Sequence, residues 1–130
     1  MRLLLDTHCW IWMQTDPERF SKRTREILID PANELMLSVA SIWELVIKTT
    51  LGKLRLPADI REYVTTRNAQ HGIVTLAIVP AHAFRVAALP THHRDPFDRM
   101  LAAQSLVEDI PLLTSDPIFR AYRVATLRAR

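Results

Sequence analysis

Arg2-Leu3-Leu4-Leu5-Asp6-Thr7 sets three consecutive leucines ahead of a carboxylate and a hydroxyl. An unbroken apolar run of this length is a strand buried on both faces, as inside a parallel sheet. In an open α/β sheet, ligands lie in the crevice beyond the carboxyl ends of the strands. Asp6 therefore stands where chemistry is done, and the other groups that reach the same edge become the candidates.

Outward from this run, residues 8–13 form an apolar-rich helical turn closed by Asp16-Pro17. Residues 21–30 read as a helix capped by Ser21 and ended by Pro31. Leu35-Met36-Leu37 marks a second strand over 34–38. Residues 39–51 are helical, with Ile42, Leu45, Val46 and Thr49 on one face and Gly52 as the stop. A connector at 54–57 leads to a helix over 58–70, stopped at Gly72. β-Branched residues over 73–79 make a third strand. Pro80 opens a short helix to residue 89, and a polar loop over 90–94 holds His92 and His93. A helix over 96–109, a fourth strand over 111–114, a helical turn over 117–122 and an edge strand over 124–127 follow. Strands alternating with helices predict βαβ units and a parallel sheet with helices on both faces. No linker, repeat or low-complexity segment breaks the pattern, and residues 1–130 read as one domain.

A composition of 48% hydrophobic and 24% charged residues is that of an ordinary globular protein. Two glycines against eight prolines favour short, stiff connections. The single cysteine excludes a disulfide within the chain and favours a reducing compartment. Asp6 cuts the leading apolar run short of a signal peptide, and no run approaches the ~20 apolar residues of a membrane span. A cytoplasmic protein without a membrane partner is expected. The net charge of +3 owes much to Arg120, Arg123, Arg128 and Arg130. Such a basic end either meets nucleic acid or an acidic partner, or is a solvated surface. No Cys/His spacing suggests zinc, no glycine-rich loop cradles a nucleotide, and no Ser-His-Asp set is identifiable.

The carboxylates carry more information. Asp6 and Asp116 end predicted parallel strands, hence stand on one edge of the sheet. Glu44 lies in the helix after the second strand, and Asp98 in the first turn of the helix after the polar loop. Carboxylates brought together repel and raise one another's pKa. Mg²⁺ or Mn²⁺ relieves this, being a hard cation that favours carboxylate and water oxygens. Such a cluster suits activation of water and stabilisation of a phosphate's developing charge.

Each acid also has a plainer role. Asp95 and Asp116 precede proline, the pattern of a helix start; Asp95 is read as a cap, and for Asp116 capping and metal binding both stand. Asp98 complements a helix N-terminus. Ser41 and Glu44 fit a capping box, but Ser38 is the better-placed cap and leaves Glu44 to face the edge. Lys48, one turn beyond Glu44, is read as its ion-pair partner, with a phosphate contact as the alternative. Arg99 either lines the groove as a phosphate contact or serves the fold, since it diverges from Asp98 by about 100°. His92 and His93 offer a nucleic-acid contact or a solvated loop. Cys9, Trp10 and Trp12 are assigned to the core.

Taken together, Asp6-Thr7-His8, Ser41-Ile42-Trp43-Glu44, Asp95-Pro96-Phe97-Asp98-Arg99 and Leu113-Thr114-Ser115-Asp116 resemble the PIN-domain ribonucleases, and among them the VapC toxins of bacterial toxin–antitoxin pairs. The resemblance covers essentially the whole chain, and Asp95 to Arg99 with the following Met100-Leu101-Ala102-Ala103-Gln104 is its most specific part. It implies an α/β/α sandwich around a mostly parallel, five-stranded sheet. It implies a metal-dependent endoribonuclease in which Asp6, Glu44, Asp98 and Asp116 hold Mg²⁺ or Mn²⁺. Thr114 matches a hydroxyl that orients a carboxylate or water, with Thr7 beside Asp6 in support. A homodimer and a cognate VapB-type antitoxin, whose tail enters the groove, are the implied partners beside RNA. The last strand is the weakest match. The rival readings are a PIN-like binding module without catalysis and a metal-dependent phosphoesterase acting on DNA or small esters.

Overall fold

At the centre of the computed structural model, which describes residues 1–91 and 94–130, lies β1 (Arg2–Leu5). Leu3, Leu4 and Leu5 have no exposed surface. Side chains alternate across a strand, so Leu3 and Leu5 enter one core and Leu4 the other. Full burial of each leucine contributes about 1.5–3 kcal/mol. That is why three consecutive leucines are stable here and would not be on a sheet with one wet face.

α1 (Thr7–Thr15), a 3₁₀ turn (Pro17–Arg19) and α2 (Lys22–Ile29) lead to β2 (Glu34–Ser38). α3 (Val39–Thr50), α4 (Ile60–His71) and β3 (Val74–Leu76) complete the first half of the fold. α5 (Pro80–Ala87), α6 (Pro96–Glu108), β4 (Leu112–Thr114), a second 3₁₀ turn (Pro117–Tyr122) and β5 (Thr126–Arg128) follow. The five strands run parallel in the order β3-β2-β1-β4-β5. The chain moves outward from β1 in one direction and then returns to β1's other side with β4. This reversal falls between β1 and β4, and in open α/β sheets ligands lie at the carboxyl ends of the strands at such a point.

One core packs Leu3, Leu5, Leu35, Leu37 and Leu113 against Trp10, Phe20, Leu45, Tyr63 and Val64. The other packs Leu4, Met36 and Leu112 against Leu101, Ala102, Ala103, Phe119 and Tyr122. Helices thus cover both faces of the sheet, as the sequence pattern requires.

Two strands differ from expectation. β3 stops at Leu76 instead of running to residue 79, because its partner β2 ends at Ser38, the residue paired with Leu76. Beyond that point there is no strand to bond, and Ile78 and Val79 are exposed. β5 begins at Thr126 instead of 124, since Arg123 takes a left-handed conformation (φ 60°) and Val124 turns into the second core. Among the described residues, no helix is long and apolar enough to cross a membrane. The nucleic-acid contact considered for His92 and His93 falls outside the described residues.

Candidate active site

Asp6 closes β1 and caps α1, its Oδ1 accepting from the Thr7 amide at 2.8 Å. Its Oδ2 accepts from the Thr114 hydroxyl, at the end of β4, at 2.7 Å. The same hydroxyl accepts from the Asp116 amide at 3.0 Å. One threonine therefore fixes both a carboxylate on β1 and the backbone that carries the acid after β4. Asp6 is only 3% exposed, and burial raises its carboxyl from 3.8 to about 6. The two hydrogen bonds oppose that rise, and the charges of Glu44 and Asp116 add to it.

α3 approaches through its own polar contacts. Ser38 caps it, accepting from the Ala40 amide at 3.0 Å. Ser41 is engaged elsewhere, accepting from the Thr7 hydroxyl at 2.8 Å and tying α3 to α1. Glu44 is thereby left out of a capping box, and its carboxylate pairs with Lys48 at 3.2 Å. Asp116 caps the second 3₁₀ turn, Oδ1 accepting from the Ile118 amide at 3.0 Å, and its charge reaches Asp6. Capping uses one oxygen of that carboxylate and leaves the other. Asp95 caps α6, accepting from the Phe97 and Asp98 amides at 2.9 and 3.4 Å, which sets Asp98 in the first turn.

The residue that sequence reasoning passed over is His8. Its Nδ1 lies 3.3 Å from Asp6 Oδ2 and its Nε2 3.0 Å from the Ser115 hydroxyl, while its ring stands edge-on to Trp12. Burial holds the imidazole below its usual range, against the upward pull of Asp98, Asp116 and Glu44. All four acids thus act on the neighbourhood of Asp6 and His8, three of them on the His8 ring by charge. The available signal was position: His8 is polar in the first turn of a helix whose next two residues, Cys9 and Trp10, are fully buried. Burial pushes the Cys9 thiol up, which leaves it inert.

The Arg99 guanidinium donates to the carbonyls of Pro90 and Val86 at 2.8 and 3.1 Å and lies over the Tyr122 ring. It satisfies backbone acceptors at the end of α5, which a helix leaves without internal partners. Of the two readings, the one in which Arg99 serves the fold is what these bonds describe.

The donor set suits a divalent cation in part. Asp6, Glu44, Asp98 and Asp116 offer hard oxygens, and the Asp6 carboxyl is raised first by burial and then, more weakly, by the charges of Glu44 and Asp116. Among the described residues, no three His, Cys, Asp or Glu side chains converge tightly enough to hold an ion by themselves.

The comparisons agree with this architecture. Ribonuclease VapC16 of Mycobacterium tuberculosis (strain ATCC 25618 / H37Rv) is 41% identical over 59 residues, which span 45% of this chain and 42% of that protein's length. A chain in the crystal structure of VapBC2 from Rickettsia felis, bound to a DNA fragment from its promoter, superposes with a TM-score of 0.77 at 14% identity, over 100% of both chains. DNA-bound VapBC from Salmonella typhimurium gives 0.70 at 13% identity, over 100% of this chain and 99% of the other. The PIN domain model matches residues 3–125, from the first leucine of β1 to the loop before β5, so the chain belongs to the PIN domain family.

Proposed function

We propose that this chain is a VapC-type toxin, a Mg²⁺- or Mn²⁺-dependent endoribonuclease that hydrolyses RNA phosphodiester bonds. The observation that carries this reading is the Asp6 carboxyl, buried at the carboxyl end of β1, held by the Thr114 hydroxyl from β4 and close enough to Glu44 and Asp116 to feel their charge. The name of the ribonuclease relative and the VapBC complexes among the structural neighbours support the same reading. They also support a VapB-type antitoxin as partner, and a homodimer is proposed with it.

Asp6, Glu44, Asp98 and Asp116 are the residues that would hold the ion. When bound, it supplies Lewis acidity that lowers the pKa of water and offsets charge on the phosphate. The chain's own groups prepare for this. Thr114 and the Thr7 amide lock the Asp6 carboxylate in one orientation. Lys48 pairs with Glu44 from one turn further along α3. His8 fixes the Ser115 hydroxyl beside Asp116. Such supporting bonds matter because a carboxylate free to rotate loses much of its value as a ligand.

The test is cleavage of total cellular RNA by purified, antitoxin-free protein, in Mn²⁺ or Mg²⁺ against EDTA, beside Asp6→Asn. Discrete fragments that need the metal and vanish in the variant are expected. Intact RNA with well-folded protein, or undiminished cleavage by Asp6→Asn, overturns the reading.

A further inference from the structure

Next to the acids lies a cavity of about 270 Å³ whose lining includes Ser115 and Asp116 together with Arg120, Thr126, Arg128 and Arg130. Three elements bring the arginines there. Arg120 projects from the 3₁₀ turn that Asp116 caps. Arg128 sits on β5 in register with Thr114, the residue that holds Asp6. Arg130 extends beyond β5 with its guanidinium 5.2 Å from the centre of the Trp12 ring, and Trp12 in turn packs on His8.

The arginines of this cavity are not neutralised by ion pairs. Arg19 and Lys48 are paired with Asp16 and Glu44, but among the described residues none of these three arginines has a carboxylate within 4.0 Å. All three are exposed. Three guanidinium groups against the single carboxylate of Asp116 leave the cavity an excess of positive charge, which an anion relieves. The hydroxyls of Ser115 and Thr126 add donors to the guanidinium N–H groups, a combination suited to phosphate oxygens.

We propose that this cavity is a phosphate subsite, holding the RNA backbone phosphate that neighbours the one presented to Asp6, Glu44, Asp98 and Asp116. The inference rests on the reading of the chain as a ribonuclease and extends it. A polyanion crossing a cluster of carboxylates is repelled wherever the ion does not shield it. Arginines immediately beside that cluster hold the strand in place while one phosphate occupies the acidic site. A small phosphate ester has no second phosphate to place there, so the cavity favours a polymeric substrate. It also assigns the basic end of the sequence a role in the groove.

The experiment measures binding of a fluorescent single-stranded RNA to the full chain across a salt series. Asp6→Asn serves as the uncut background, and Arg120→Gln/Arg128→Gln is made within it. Loss of this one phosphate contact should weaken binding by about tenfold and make the log–log salt dependence shallower by about 0.7. With the wild-type acids restored, the same pair should raise KM and leave kcat near its original value. Arg120→Lys/Arg128→Lys keeps the charges and should retain most of the salt slope, which separates lost contacts from damaged folding. Equal affinity and slope in the Gln pair overturn the subsite while leaving the ribonuclease reading intact, and return these arginines to an acidic protein partner. RNA neither bound nor cut by the wild type overturns both.

Discussion

Asp6 is stabilised by geometry and destabilised by charge, and the two effects are separable. Its carboxyl titrates near 6 in the folded chain against an ordinary 3.8. Between those values the unfolded chain has lost its proton while the folded chain keeps it. The contribution of Asp6 is therefore most favourable below about pH 4 and is lost as pH rises through 6, at about 1.4 kcal/mol for each pH unit between the two values. Asp6→Asn removes the charge but keeps an acceptor. In EDTA it should stabilise the protein by about 2 kcal/mol at pH 7.5 and by little at pH 4, read from urea unfolding at both pH values. A destabilised variant at pH 7.5 would show that the acceptor geometry outweighs the charge. Thr114 acts in the opposite sense, since its hydroxyl both donates to Asp6 and accepts from the Asp116 amide. Thr114→Val leaves two buried groups without that partner and should cost about 1–3 kcal/mol, with RNA cleavage falling about 10-fold to 100-fold. Thr114→Ser retains the hydroxyl and should recover most of the activity; failure to do so would assign the loss to packing of the methyl group.

The elements bring these residues together through a few buried polar ties. α1 is anchored to α4 where the Trp10 indole N–H donates to Asn68 Oδ1 at 2.8 Å, away from the acids. Asn68→Leu strands that N–H in the core and should lower unfolding free energy by about 1–3 kcal/mol, while metal-dependent cleavage at low temperature stays near wild type. An activity loss larger than the fraction unfolded would mean that α4 sets the position of α1's first turn. This division explains what the sequence disclosed. β1 was legible because three leucines before an aspartate leave a buried strand and a strand-end acid as the simplest reading. Ser21, Ser38 and Asp95 were legible because a cap is a local event, decided within three residues of the amide it serves. The ends of β3 and β5 were not, since a strand stops where its neighbour stops or where the backbone turns, and neither is written in the strand itself. Arg99 was equally opaque, because its acceptors, Pro90 and Val86, lie on the far side of a loop and at the end of another helix. His8 escaped for the same reason: its value depends on Ser115, more than a hundred positions away.

Across the whole molecule the carboxyl edge of the sheet carries opposite charges side by side, acids at β1 and β4 and an arginine-lined cavity toward β5. A fold that concentrates charge this way holds unfavourable energy until ions arrive, and stability should respond to them. A ligand that binds only the folded chain stabilises it by about 2.7 kcal/mol at a hundredfold excess over Kd. Mn²⁺ should therefore raise the melting temperature of the wild type and leave that of Asp6→Asn nearly unchanged. The response should also depend on pH, because an ion held by the Asp6 carboxylate must displace its proton. With that carboxyl near 6, Mn²⁺ affinity should be about tenfold weaker at pH 5 than at pH 7, the direction opposite to the intrinsic stability effect of the same group. Calorimetric titration of Mn²⁺ at the two pH values measures both the affinity and the protons released. Release approaching one proton per ion at pH 5, falling off by pH 7 and absent in Asp6→Asn, would locate the ion at Asp6. Affinity independent of pH would mean that Asp6 does not ligate the ion, and would leave Thr114 holding a carboxyl that stays protonated where the others act.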